Sequence, residues 1–166
     1  MFFEWLGEES VSKEYKEGVD HVLDENDKGS NLIITSVITD LEVLPEKLDD
    51  KSAGASTTYN DLFDGEKFHQ TEVNKNILIL AREIRSYYFK LSDDNGRGGK
   101  MMDLGDSIHL ASAIIHEVDE FHTRDKSSKG SKVPLVTLYE NSGVNQVCGK
   151  YEIKIVSPLA EEPKLL

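Results

Sequence analysis

The stretch LIITSVITDLEVL, residues 32–44, decides the fold class of this sequence. The run Leu32-Ile33-Ile34 is short, apolar and bounded by turn-forming residues, which is typical of a buried strand in a parallel sheet. The residues that follow it recur at helical spacing, with Ser36 as a potential cap and Pro45 marking the end or a kink: Val37, Leu41, Leu44 and Leu48. A strand that runs directly into an amphipathic helix predicts an α/β protein.

Further strands and helices alternate along the rest of the chain. Strands are predicted at residues 68–73, 121–123 and 151–156, and residues 2–6, 14–23 and 73–90 are predicted to be helical. Another helix is predicted to begin near Asp106 or Ser107, with Ser112 on its polar side. The longest helix has one apolar side, formed by Ile77, Leu80, Ala81, Ile84, Tyr87 and Tyr88. This alternation predicts a single α/β domain over residues 1–166, with a mainly parallel sheet.

The composition limits the class of protein. A length of 166 residues, of which 38% are hydrophobic, is enough for one buried core. No apolar run is long enough to span a bilayer, and acidic residues follow the N-terminal MFFEWL, so we expect a cytoplasmic protein. Because Cys148 is the only cysteine, an intrachain disulfide is excluded, and we expect Cys148 to be a small packing residue.

The charge of the chain is strongly acidic and unevenly distributed. The formal net charge is −12; residues 1–81 hold 7 lysines and arginines against 18 acids, whereas residues 82–132 hold 9 of each. A basic surface that binds nucleic acid mainly by neutralising phosphates is therefore excluded. Any contact with nucleic acid must be local.

Three acids occupy positions where parallel sheets bind ligands, beyond the carboxyl ends of strands or at the start of helices. Glu42 follows the first strand, Asp106 opens a helix, and Asp125 follows the strand at 121–123. Each has a structural alternative, because Asp106 could cap its helix and Asp125 could stabilise a turn. Periodicity also does not distinguish Glu42 from Asp40, since both flank the apolar stripe.

The segments ITSVITDLEVL, GDSIHLASAI and FHTRDK, in this order, resemble the PIN-domain family, and especially the toxin ribonucleases of bacterial and archaeal toxin–antitoxin pairs. The resemblance covers nearly the whole chain and implies a three-layer α/β/α sandwich. It also implies that Glu42, Asp106 and Asp125 bind Mg²⁺ or Mn²⁺ and act as catalytic residues of an endoribonuclease. A small antitoxin partner and a homodimer are implied as well.

The sequence departs from the family pattern at its beginning. The family normally opens with a strand that ends in the first metal-binding aspartate, whereas Met1 lies within a segment, MFFEWL, that resembles the helix after that strand. Three of the four expected acids are thus present. We expect an upstream segment of about ten residues to encode the missing strand.

Two functions from different classes follow from these observations. The first is a metal-dependent ribonuclease, with RNA phosphates contacted by Arg97, Lys100, Arg124, Lys126, Lys129 and Lys132. The second is a binding module of the same fold that has lost catalysis and acts through protein or RNA partners. Arg82 and Arg85 on the longest helix could contact RNA phosphates or the carboxylates of a partner, or could be solvated.

Overall fold

The computed structural model describes residues 12–94, 101–125, 135 and 146–158, and the side chains of residues 90–94 are not described. The described residues divide into two compact units, one within residues 1–70 and 158–166 and the other within residues 71–157. Our predictions for MFFEWL and for the phosphate contacts of Arg97, Lys100, Lys126, Lys129 and Lys132 lie outside the described residues.

The first unit alternates helices with two short strands. In chain order its elements are α1 (Lys13–Asp27), β1 (Ile33–Ser36), α2 (Thr39–Glu42), α3 (Pro45–Asp49), α4 (Ala55–Asp61), a 3₁₀ turn (Leu62–Asp64) and β2 (Phe68–Thr71). Ser12 caps α1, because its hydroxyl accepts a hydrogen bond from the backbone N–H of Tyr15. β1 and β2 form a two-stranded sheet. The predicted strands at 32–34 and 68–73 are thus confirmed with small shifts of their ends, but the prediction that the first is a buried strand is wrong, because Leu32 is 52% exposed and Ile33 and Ile34 are only partly buried.

The predicted helix after β1 is interrupted near Pro45, where the sequence predicted an end or a kink, and it forms two short helices. Val43, with φ −92° and ψ 87°, ends α2, and Leu44 is extended before Pro45 opens α3. A residue that precedes proline avoids helical backbone angles, whereas proline itself fits the first position of a helix. Ser36 belongs to β1, and the residue at the cap position of α2 is Ile38, whose side chain caps nothing.

This break changes which apolar side chains of the segment are buried. Leu41 is 74% exposed and Leu44 is 43% exposed, although helical spacing predicted both to face the core. Leu48, which was also predicted to face the core, is buried as expected, and Val43 is buried although it was not on the predicted stripe. They form a small core with Ala55 and Tyr59, against which Leu62 and Phe63 pack. The rings of Tyr59 and Phe63 meet edge to face, with centroids 5.2 Å apart.

A buried asparagine joins the end of α1 to the start of β2. The Nδ2 group of Asn26 donates hydrogen bonds to the backbone carbonyls of Asn31 (3.1 Å) and Lys67 (2.9 Å). Asn26 is 1% exposed, so the donor side of both bonds is buried. The carbonyl of Lys67 also accepts a hydrogen bond from the backbone N–H of Ile33. Asn26 therefore helps to hold the start of β1 beside the start of β2.

The second unit contains two packed helices and a parallel strand pair. Its elements are α5 (Lys75–Asp94), α6 (Leu104–Ile115), β3 (Glu120–His122) and β4 (Lys154–Val156). β3 and β4 are parallel, with Glu120 opposite Lys154 and Phe121 opposite Ile155. The predicted apolar side of α5 is confirmed. Tyr87 is half-buried, and the other members of this side are buried: Ile77, Leu80, Ala81, Ile84 and Tyr88.

The helix α6 differs from its prediction on one side. Ser112, which was predicted on the polar side, is 4% exposed, and its hydroxyl donates a hydrogen bond to the carbonyl of Ile108 at 2.8 Å. That bond satisfies the hydroxyl inside the helix, so a small polar residue can be buried there. Ile115, the last residue of the helix, is 39% exposed.

A tight hairpin precedes β4. Val147 and Tyr151 pair in antiparallel fashion, and the loop between them holds Cys148 and Gly149 at φ 55° and φ 70°. The N–H of Lys150 donates to the carbonyl of Val147 at 3.2 Å, which closes the turn. Positive φ at two successive positions is the pattern of the turns that match the twist of hairpin strands.

The fold class is mixed α/β. Helices dominate the described residues, and the strands form two sheets of two strands each within these ranges. The parallel pairing of β3 with β4 agrees with the predicted parallel sheet. The three-layer sandwich and the single domain stay predictions.

Candidate functional site

Glu42 is the last residue of α2, the single helical turn that follows β1. Its side chain is exposed. Its charge reaches Tyr59, because it contributes to the raised pKa of that phenol. Glu42 therefore lies on the solvent side of the small core of the first unit, near the end of a strand.

The neighbouring acid, Asp40, is engaged in a hydrogen-bond network. Its Oδ1 accepts a hydrogen bond from the hydroxyl of Tyr59 at 2.8 Å and another from Nε2 of Gln70 at 2.7 Å. Burial, followed by this bond and the charge of Asp40, raises the pKa of Tyr59 well above its ordinary value. The network joins α2 to α4 and to the end of β2, so Asp40 has a structural role. Sequence periodicity did not distinguish Asp40 from Glu42, whereas these hydrogen bonds do.

Asp106 lies in the first turn of α6 and does not cap it. The helix begins at Leu104, and the cap is Asp103, whose carboxylate accepts a hydrogen bond from the N–H of Gly105 at 3.1 Å. The prediction that Asp106 could be the cap residue is therefore wrong. A carboxylate at this third helical position still gains from the partial positive charge of the helix N-terminus.

Asp125 follows β3 and is held by two hydrogen bonds. Its backbone N–H donates to Oγ1 of Thr123 at 3.2 Å, and its Oδ2 accepts from the N–H of Leu135 at 3.3 Å. The first bond closes a turn through the side chain of Thr123, which is the arrangement expected if Asp125 is a turn residue. The second fixes the direction of the carboxylate and joins two segments that are ten residues apart.

The chemistry of the three predicted site residues fits a hard divalent cation, because all three offer carboxylate oxygens. Asp106 and Asp125 belong to the second unit, whereas Glu42 belongs to the first. Among the described residues, no group of three or more histidine, cysteine, aspartate or glutamate side chains is arranged to hold a metal ion. The assignment of these acids as metal ligands stays a prediction.

Sequence reasoning missed three residues that shape these surroundings: Tyr59, Gln70 and Asp103. Tyr59 stood out as one of the few apolar anchors of its segment, but nothing in the sequence pointed to a bond with an acid 19 residues away. Asp103 carried a usable signal, since an acid three residues before another acid at a helix start is typical of a capping residue.

Comparisons with known proteins give no match: no family model, no curated protein and no solved structure is similar to this chain. Within the described residues, every helix is too short or too polar to cross a membrane.

Proposed function

We propose that this protein is a metal-dependent endoribonuclease that cleaves RNA phosphodiesters, with Glu42, Asp106 and Asp125 as its catalytic and metal-binding acids. The proposal starts from the resemblance of the three sequence segments to toxin-type PIN-domain ribonucleases. A small antitoxin and a second copy of the chain are the protein partners that it implies.

The observation that carries this proposal is the placement of Asp125. It follows the carboxyl end of β3, a strand in a parallel pair, and its carboxylate direction is fixed by the bond to Leu135. Ligand sites of parallel sheets lie beyond the carboxyl ends of their strands. The position of Asp106 in the first turn of α6, and that of Glu42 one turn after β1, give further support.

In this mechanism the three carboxylates would hold Mg²⁺ or Mn²⁺. The bound cation supplies Lewis-acid stabilisation of the charge that develops on the phosphodiester. One carboxylate would also orient the attacking water and accept its proton. Arg124, which is exposed next to Asp125, would contact an RNA phosphate.

The test compares isosteric variants in cleavage of a labelled RNA with added Mn²⁺. Glu42→Gln, Asp106→Asn and Asp125→Asn should each reduce the rate about a hundredfold or more, because they remove a charge and a proton acceptor. Asp40→Asn and Asp103→Asn are matched controls, since each neighbours a proposed ligand and the amide still offers a carbonyl oxygen to the bonds seen here. EDTA should abolish cleavage and Mn²⁺ should restore it. Cleavage that survives EDTA would rule this mechanism out.

The alternative function, a binding module without catalysis, gives the opposite result. In that case the double variant Asp106→Asn/Asp125→Asn would keep the cellular effect of the wild-type protein. Under our proposal it loses both RNA cleavage and that effect.

A further inference from the structure

The outward side of α5 is a partly exposed apolar surface. Leu78, Ile79 and Phe89 are 48%, 55% and 40% exposed, although the opposite side of the same helix is buried. At 100° per residue these three side chains fall within one arc of about 100°, together with three exposed polar residues. We call this surface the outer face of α5; it consists of Lys75, Leu78, Ile79, Arg82, Ser86 and Phe89.

The charge of this face is opposite to that of the whole chain. Among its described side chains this face carries two cations, Lys75 and Arg82, and no acid, on a protein whose net charge is −12. Within the described ranges, neither cation forms an ion pair. Glu83, the acid on the flank of the face, is paired with Lys150, so its charge is largely compensated.

The position of Arg82 argues against a second copy of the chain as the occupant. It lies midway between Lys75 and Phe89, so a two-fold contact between two such helices would place Arg82 against its own copy. Like charges brought together in a closed interface cost free energy. The outer face is therefore unsuited to pairing with itself.

The charge also argues against nucleic acid and membranes. Two cations give few phosphate contacts, either to a nucleic acid or to an anionic lipid surface. A partner that is both apolar and acidic matches the face in each respect. The distance from Leu78 to Phe89 along the helix is about 16 Å, which is three turns.

We propose that the outer face of α5 binds an acidic amphipathic helix of another protein. The partner helix would place apolar side chains against Leu78, Ile79 and Phe89 and carboxylates against Lys75 and Arg82. This is a helix-on-helix contact with apolar anchors spaced at one or two turns and a charged rim.

The probe is a synthetic helical peptide of about 16 residues, with leucines at i, i+4, i+7 and i+11 and glutamates flanking them. We expect it to bind the full chain with a Kd on the order of 100 µM or tighter, measured by fluorescence anisotropy. Arg82→Glu should weaken binding about tenfold or more, and added salt should weaken it too. Lys16→Glu, which makes the same charge change on an exposed position of α1, should leave the Kd unchanged.

Two control peptides and one further variant complete the test. A peptide with lysines in place of the glutamates, and one with the same composition in scrambled order, should bind at least about tenfold more weakly. Phe89→Ser should weaken binding and lower the melting temperature only slightly, because Phe89 is 40% exposed.

Four outcomes would overturn the proposal: equal binding of the acidic and basic peptides, an unchanged Kd for Arg82→Glu, a dimer of the chain that Leu78→Ser dissociates, or binding to anionic vesicles that depends on Arg82.

Discussion

The backbone N–H of Cys148 donates a hydrogen bond to the hydroxyl oxygen of Tyr88, with 3.1 Å between nitrogen and oxygen. Cys148 is 8% exposed and Tyr88 is 1% exposed, so water does not compete for this bond. It fastens the hairpin before β4 to the buried side of α5. The bond also accounts for how a residue with a side chain is held at φ 55°, a backbone angle that usually favours glycine.

Replacing Tyr88 with phenylalanine should lower the free energy of unfolding by about 1–3 kcal/mol. The variant keeps the ring but leaves the buried N–H of Cys148 without its acceptor. Urea unfolding measures the change, and Tyr87→Phe, in a half-buried neighbour, is the control that we expect to stay within about 0.5 kcal/mol of wild type. Equal stability of the Tyr88→Phe protein and the wild type would contradict this role.

The Cys148 thiol should make the protein less stable at alkaline pH. Burial, and secondly the charge of Glu83, raises its pKa to about 12, from an ordinary value of 9.0. As the pH rises above 9, the unfolded chain loses this proton before the folded chain does, so the free energy of unfolding falls by about 1.4 kcal/mol per pH unit up to about pH 12. Below pH 9 both states keep the proton and this thiol adds no pH dependence.

The measurement is a pair of urea titrations at about pH 8 and about pH 10, for wild type and for Cys148→Ala. The alanine variant should lose about 1 kcal/mol less stability than the wild type between these two pH values. The same loss in both proteins would show that the thiol is not buried as described.

The break between α2 and α3 predicts opposite results for two leucines of the same segment. Leu48→Ala should cost about 2–5 kcal/mol, because Leu48 is fully buried in the core of the first unit. Leu41→Ala should change stability by less than about 0.5 kcal/mol, because Leu41 is 74% exposed. Similar losses in the two variants would favour the continuous helix instead.

Asn26→Asp should lower stability by more than about 2 kcal/mol at neutral pH. The change removes both donors of the amide and places a carboxylate against the carbonyls of Asn31 and Lys67. Asn60→Asp makes the same change at an exposed position of α4 and should be nearly neutral. Part of the loss should return on acidification, since a protonated carboxyl again offers one donor.

The sequence pattern predicted those elements whose burial follows a simple period. The buried side of α5 repeats every three or four residues, so the sequence pattern alone predicts its members. The sequence also located β1, from a short apolar run between turn signals, and placed β2 and β3 with small shifts of their ends.

The errors arose where local backbone chemistry competes with periodicity. Pro45 was read as the end or a kink of one helix, but it opens a second helix, and the extended residue before it turns Leu44 outward. Burial of Ser112 depends on a bond to its own helix, which a polar or apolar classification does not represent.

The candidate site was predictable only as a set of positions. Glu42, Asp106 and Asp125 could be chosen because each follows a strand or opens a helix. The bonds of Asp40 to Tyr59 and Gln70, and of Asp125 to Leu135, join residues that only the folded chain brings together. Contacts between residues so far apart in the chain leave no local pattern in the amino-acid sequence, so they could not be predicted from it.

The parallel pairing of β3 with β4 has a consequence for how the protein is made. Glu120 and Lys154 face each other across the pair but are 34 residues apart in the chain. At ~5–20 residues per second, a ribosome finishes β3 about 2–7 s before it supplies the strand that pairs with it. By then the core around Leu48 and Tyr59 has long been synthesised. The nascent chain thus passes through an interval in which the β3 edge that β4 will occupy can pair with a neighbouring chain, and a chaperone that covers strand edges would act in that interval.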